Sequence, residues 1–255
     1  MADKKKVLVV ASNYGVWGEE LQAPWDAIVN AGHEAVIATP QGKKPLPLTI
    51  SVDPEFVDPI QNYNVNPPDV CVRVKELTTS NVWDHPVKLA DAKMADYDAI
   101  VVAGGLGADL DLLNNTWLKK LLLEAVEADK LVAVMCFAVG ALATTRNPKN
   151  GYKSIAFGKK ITAHPRAWDF QDWASYELWN ATPDNKGTDL MTPGFVVPLQ
   201  DIMEDAVGPN GHVSSNPATN RENPDVVYDW PFVTGCSVES SIAFGDKIVE
   251  VLAEK

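Results

Sequence analysis

The chain has 255 residues, room for one large domain or two small ones, and 46% hydrophobic against 22% charged residues supports a sizeable core. Its net charge of −12 argues against gripping nucleic acid phosphates or docking on anionic membranes, both of which need a basic surface. No run of about 18 apolar residues is present, so no membrane span is predicted. Residues 7–11 are too short for the apolar region of a signal peptide. Cys71, Cys136 and Cys236 are odd in number and widely spaced, which suits a reducing compartment better than a disulfide framework or a zinc site. A cytoplasmic location is expected.

Residues 6–12 form a short apolar run bounded by polar residues and are predicted as a buried strand. Residues 18–31 follow with helical spacing, closed by Gly32 at the C′ position. Residues 34–39 and 99–103 give two more buried strands, the latter running into Gly104-Gly105. Residues 112–128 read as an amphipathic helix and 131–135 as a fourth strand. A helix over 137–145 is entered directly from that strand. Residues 160–163 are a short fifth strand, 226–234 a late one, and 240–253 a closing helix.

Strands alternating with helices predict a single α/β domain over residues 1–255: a doubly wound, mostly parallel, flavodoxin-like sheet covered on both faces. Ligands in such sheets bind beyond the carboxyl ends of the strands, which places the chemistry just after Ala11, Ala103 and Met135. Two stretches interrupt the pattern. Residues 43–95 are rich in Pro and Asp without a sustained period. Residues 165–225 carry Trp168, Trp173, Tyr176 and Trp179 and then a Gly/Pro/Asn-rich section. Each serves either as a lid or binding loop or as an insertion packed on the core. Pro209-Asn210-Gly211 has the composition of a hairpin turn.

Cys136 stands at the junction of a strand and a helix. Such an elbow exposes a nucleophile at the sheet edge, faces it with backbone N–H groups, and lets the helix dipole favour the thiolate. The plain alternative is a small buried cysteine. Glu19 and Glu20 follow the first strand, and a carboxyl there projects over the same edge as a general acid/base; ordinary acid placement at a helix start is the alternative. Gly104-Gly105-Leu106-Gly107 has neither Walker nor dinucleotide-fingerprint spacing, and it offers backbone N–H groups to an oxyanion. His164 ends the fifth strand and is placed to move protons near a thiolate; His85 and His212 lie in irregular segments that could reach a cleft. Trp17, Glu19, Trp168 and His85 are candidate pocket residues. Cys71 and Cys236 have no elbow and are expected to be structural. No metal or cofactor motif is found.

Together these residues resemble the ThiJ/PfpI superfamily, whose fold is similar to the class I glutamine amidotransferase domain and whose members include glyoxalase III chaperones and the human Parkinsonism-associated deglycase. Glu20-Leu-Gln-Ala-Pro24 with Ala31-Gly32 resembles the family's first helix, in which that glutamate contacts the nucleophile, and this favours Glu20 over Glu19. Residues 103–107 resemble the Gly-Gly turn that supplies an oxyanion N–H, and residues 133–142 the elbow. Phe157-Gly-Lys-Lys-Ile-Thr-Ala-His164-Pro165 resembles the segment that brings a histidine to the cysteine. Residues 233–252 resemble the closing turn and helix. Phe137 stands where many relatives carry histidine, and the usual proline after the elbow glycine is missing.

The resemblance implies a homodimer and a small-molecule substrate, with Cys136, Glu20 and His164 as catalytic residues. Backbone donors would come from Gly105, Leu106 and Phe137. The implied activity is cofactor-independent, glyoxalase III-like conversion of a small α-oxoaldehyde such as methylglyoxal to lactate, or a deglycase. A cysteine hydrolase or hydratase acting on an amide or isonitrile is the second expectation. A non-enzymatic redox sensor with chaperone activity is the third.

Overall fold

A computed structural model describes residues 3–169, 174–180, 189–192 and 197–255. Strand β1 (Lys6–Val10) leads through a tight loop into helix α1 (Gly18–Asn30), and Gly32 follows the helix at φ 87°. Strand β2 (Glu34–Thr39) pairs parallel to β1. Helix α2 (Pro68–Thr78) and the two-residue strand β3 (Val87–Lys88) come from the first insertion. Strand β4 (Ala99–Val102), helix α3 (Thr116–Glu127) and strand β5 (Leu131–Met135) form the next crossover unit. Helices α4 (Gly140–Thr144) and α5 (Leu199–Val207) precede strands β6 (Val226–Asp229) and β7 (Phe232–Gly235), and helix α6 (Ser241–Glu254) closes the chain.

The seven strands lie in the order β6-β7-β5-β4-β1-β2-β3, all parallel except β6 against β7. Their interiors are buried throughout at β4 and β5, as expected of strands covered on both faces. From β1 the chain steps outward to β2, whereas from β4 it steps the other way to β5. Right-handed crossovers in opposite directions put α1 and α3 on opposite faces, and α6 packs against α1. The order therefore reverses between β1 and β4, and that switch point opens a crevice beyond the strand ends.

Several boundaries differ from the expectations. Residues 226–234 are a hairpin of two strands rather than one, broken at Trp230-Pro231, because proline cannot donate within a central ladder. Residues 160–163 leave the main sheet: Lys160–Thr162 pairs with His212–Ser214 instead. Pro209-Asn210-Gly211 connects α5 to that second strand and is no hairpin turn. The helix expected from 112 begins at Thr116, where the Asn115 side chain accepts the N–H groups of Trp117 and Leu118. A short helical turn, Gly107–Asp111, precedes it.

The two insertions meet over the sheet edge. Leu178 bridges to Leu48, the Trp179 N–H donates to the Pro47 carbonyl, and Leu46, Leu48 and Leu178 bury one another. Trp173 lies outside the described residues. Among the described residues no helix is long and apolar enough to cross a membrane.

Candidate active site

The elbow predicted at Cys136 is present. Met135 is extended at φ −134°, and Cys136 then turns to φ 52°, a left-handed conformation that costs a non-glycine residue about 1–2 kcal/mol. The chain continues through a single 3₁₀ turn, Cys136–Val139, into α4. The regular helix therefore starts three residues later than expected. This turn throws the Cys136 side chain off the end of β5 into the switch-point crevice, where it is 7% exposed.

Three loops converge on the sulfur. Gly105 after β4 and Phe137 after β5 direct backbone N–H groups at it. Glu20, in the first turn of α1, brings its carboxyl against the thiol. Pro24 sits one turn further on and has no N–H to offer the Glu20 carbonyl, so the start of α1 lacks that regular helical bond.

Glycine is required at the Gly-Gly turn by the space available. A Cβ on Gly104 would lie 2.4 Å from Glu20 Oε2 and 2.7 Å from Cys136 Cβ. Gly105, at φ 98°, would drive a Cβ to 2.3 Å from the Trp17 nitrogen. The Trp17 N–H itself donates to the Gly104 carbonyl, locking the two loops together.

Electrostatics separate this pair from ordinary side chains. Burial pushes the Glu20 carboxyl up to about 8, and the nearby charges of Glu239 and Glu19 add to the rise, while contacts from Cys136 and the Gly104 backbone oppose it. Glu20 Oε2 has no conventional hydrogen-bond partner; the soft thiol and a backbone contact are its neighbours. Burial also pushes the Cys136 thiol up, with the Glu20 charge second, against the pull of the two N–H groups. This corrects the expectation that a helix dipole favours the thiolate: the turn is too short and the site too dry. The two groups titrate as one unit, and a doubly ionised pair is strongly disfavoured.

Glu19 does different work. Both of its oxygens accept from Arg221, at 2.7 Å each, and Arg221 also donates to the Val65 carbonyl. This clamp ties α1 to both insertions. Removing the guanidinium leaves a buried carboxylate unpaired, so Arg221→Met is expected to destabilise the protein by about 3 kcal/mol, read as a drop in denaturation midpoint. An unchanged midpoint would remove the clamp from the account.

His164 reaches the same cavity, packed edge-on against Phe137 at 4.8 Å and Trp168 at 5.4 Å between ring centroids. Its Nδ1 is 2.5 Å from Asp169 Oδ1, while Asp169 Oδ2 accepts the Leu199 N–H at the start of α5. Asp169 was not foreseen. It fixes the ring so that Nε2 faces away from the carboxylate. Among the described residues no hydrogen bond joins His164 to Cys136, so the histidine shares the cavity without holding the sulfur.

The cavity measures about 140 Å³. Trp17, Leu106, Trp168 and Tyr176 line it, whereas Glu19, also expected at the pocket, is turned to Arg221 and is not among the lining residues. Phe56 and residues 58–61 from the first insertion complete its wall, and Glu239 and Ser237 arrive from the turn after β7. His85 and His212 are exposed and lie outside it. His85 caps the short helix Asn81–Asp84, and His212 pairs in the small second sheet. Cys71 and Cys236 are buried and free, the Cys236 thiol donating to the Ala163 carbonyl. Among the described residues no group of three or more His, Cys, Asp or Glu is arranged to hold a metal ion.

The DJ-1/PfpI family model matches residues 5–178. No curated protein matches the chain by sequence. Among solved structures, the fold is similar to the Rapid Encystment Protein 24 KDa of Francisella tularensis, with a TM-score of 0.73 and 19% identity over 97% of this chain and 99% of that one. Glyoxalase III of Candida albicans gives a TM-score of 0.71 at 19% identity over 96% of each chain. DJ-1beta of Drosophila melanogaster gives 0.58 at 19% identity over 99% of this chain and 92% of that one.

Proposed function

Because the chain belongs to the DJ-1/PfpI family, we propose that it is a cysteine-dependent enzyme that converts a small α-oxoaldehyde such as methylglyoxal to the hydroxy acid without a cofactor. The observation that carries this reading is the buried contact between Glu20 and Cys136 at the floor of the cavity. The similarity to glyoxalase III of Candida albicans supports it.

The chemistry follows from the shared proton. Loss of one proton from the pair leaves the charge on Glu20, which takes the Cys136 proton as the sulfur attacks, the Gly105 and Phe137 N–H groups holding the thiolate as it forms. The thiolate adds to the aldehyde carbon, and Glu20 gives its proton to the new oxyanion, forming a hemithioacetal. Glu20 is now a buried carboxylate, a strong base in that setting. It removes the proton from the former aldehyde carbon and returns it to the adjacent carbon, while the hydroxyl proton passes to the former ketone oxygen, leaving a lactoyl thioester on Cys136. Water cleaves the thioester, restoring the thiol and releasing lactate. His164, oriented by Asp169, assists that last step.

Purified protein treated with a chelator and free of glutathione is expected to form lactate from methylglyoxal, with kcat/KM rising with pH through the region of 8 as the pair gives up its first proton. Absence of lactate, or a profile flat from pH 6 to 9, would remove the reading. The aromatic cavity walls favour a second one, attack of Cys136 on a small amide or isonitrile. Turnover of such a panel that is lost on substituting Cys136 would establish it.

A further inference from the structure

We propose that the cavity selects by charge: it takes small aldehydes that carry an ammonium group and rejects carboxylates, with Glu239 and Asp58 deciding. This selection rests on the aldehyde chemistry above.

Trp17, Phe56, Trp168 and Tyr176 supply aromatic walls, Trp17 and Phe56 meeting edge-on at 6.3 Å. Such rings attract a cation lying over their faces. Besides Glu20, the charged groups among the described lining residues are Asp58 and Glu239, both acidic, and no lysine or arginine is among them. Arg221, the neighbouring cation, directs both Nη atoms to Glu19 rather than to Glu239.

Glu239 is 3% exposed. Its oxygens accept from the Tyr63 hydroxyl, the Ser237 hydroxyl and, at 3.4 Å, the Gln61 amide. These neutral donors orient the carboxylate without cancelling its charge. Asp58 Oδ1 accepts the N–H groups of Ile60 and Gln61, and Oδ2 accepts none from the described residues. The Asp58 charge is felt inside the cavity: the Tyr176 hydroxyl is pushed up by burial first and by Asp58 second. In a site this dry a second negative charge is repelled and a positive one is drawn in.

Binding to the sulfur is a simple addition. The S–C bond forms, the carbonyl π bond breaks, and the proton of the pair moves to the oxygen, with no oxidant or leaving group. The adduct shields Cys136 from alkylation, which gives a readout independent of turnover. Three probes are compared: betaine aldehyde, the uncharged 3,3-dimethylbutanal of the same shape, and glyoxylate. For each, the concentration that halves iodoacetamide labelling of Cys136 is measured by peptide mass spectrometry in wild type, Glu239→Gln and Asp58→Asn. Dividing wild type by variant cancels the intrinsic reactivity of each aldehyde.

The preference for betaine aldehyde over 3,3-dimethylbutanal is expected to fall about tenfold in Glu239→Gln and severalfold in Asp58→Asn, with glyoxylate gaining in both. An unchanged preference in both variants overturns the selection. Asp58 is partly exposed in a loop, so Asp58→Asn decides alone if Glu239→Gln does not fold. If no aldehyde protects the wild type, the aldehyde chemistry falls with the selection; protection without a charge effect removes the selection only.

Discussion

Cys136→Ala is expected to lower lactate formation from methylglyoxal by at least about 10³-fold, because the route proceeds through a covalent bond that alanine cannot form. The thermal transition should move little. The Cys136 side chain is buried but small, and alanine inherits the same left-handed backbone. Cys136→Gly separates the two properties of the elbow. Glycine adopts φ 52° without the steric cost, so this variant is expected to melt no lower than Cys136→Ala while being equally inactive. A glycine variant that melts several degrees below the alanine variant would show that the turn is not strained. Residual turnover in either variant above a few per cent would show that sulfur is not the nucleophile.

Glu20→Gln is expected to cost about 10²- to 10⁴-fold in kcat and to stabilise the fold at alkaline pH. The sign follows from the raised pKa. A carboxyl near 4.5 when unfolded and near 8 when folded binds its proton more tightly in the native chain. Stability from this group is complete below about pH 4.5 and declines as pH rises towards 8, above which the whole cost of burying the charge is present. Glutamine carries no charge to bury. The variant should match wild type at pH 4 and exceed it by a few kcal/mol at pH 9, read from denaturant midpoints. Equal stabilities at pH 9 would mean that Glu20 ionises freely and is not enclosed as described. The pairing of lost rate with gained stability is the pattern of a group held against its own solvation for chemistry.

The sheet was legible because its strands are apolar on both faces and bounded by polar residues; residues 34–39 and 131–135 match the observed strands end to end. The elbow was legible for the same reason, as an apolar strand running straight into a helical pattern at Cys136. Glu20 needed the resemblance, since local pattern treats Glu19 and Glu20 alike. The structure shows why they differ: one faces the sulfur, and the other is held by Arg221 from 202 positions away. No local signal announces a partner at that distance. Asp169 could have been found, being an acid five residues beyond His164. Pro231 likewise marked the break between β6 and β7. The cavity wall was hidden because residues 56–61 have no periodicity of their own; their place is set by contacts such as Ser51 to Gly18 and the Asp58 turn. Glu239 was hidden in the tail motif, its function defined by Tyr63 and Gln61 from the first insertion.

The central claim is that the aldehyde carbon bonds to Cys136 beside a proton-carrying Glu20. It is tested most directly by mixing wild-type protein with methylglyoxal, quenching in acid within the first turnovers, and mapping the peptides by mass spectrometry. The account predicts a lactoyl group on Cys136, released by hydroxylamine as a thioester is, with Cys71 and Cys236 unmodified. Lactate accumulating while Cys136 stays bare, or adducts spread evenly over the three cysteines, would contradict it.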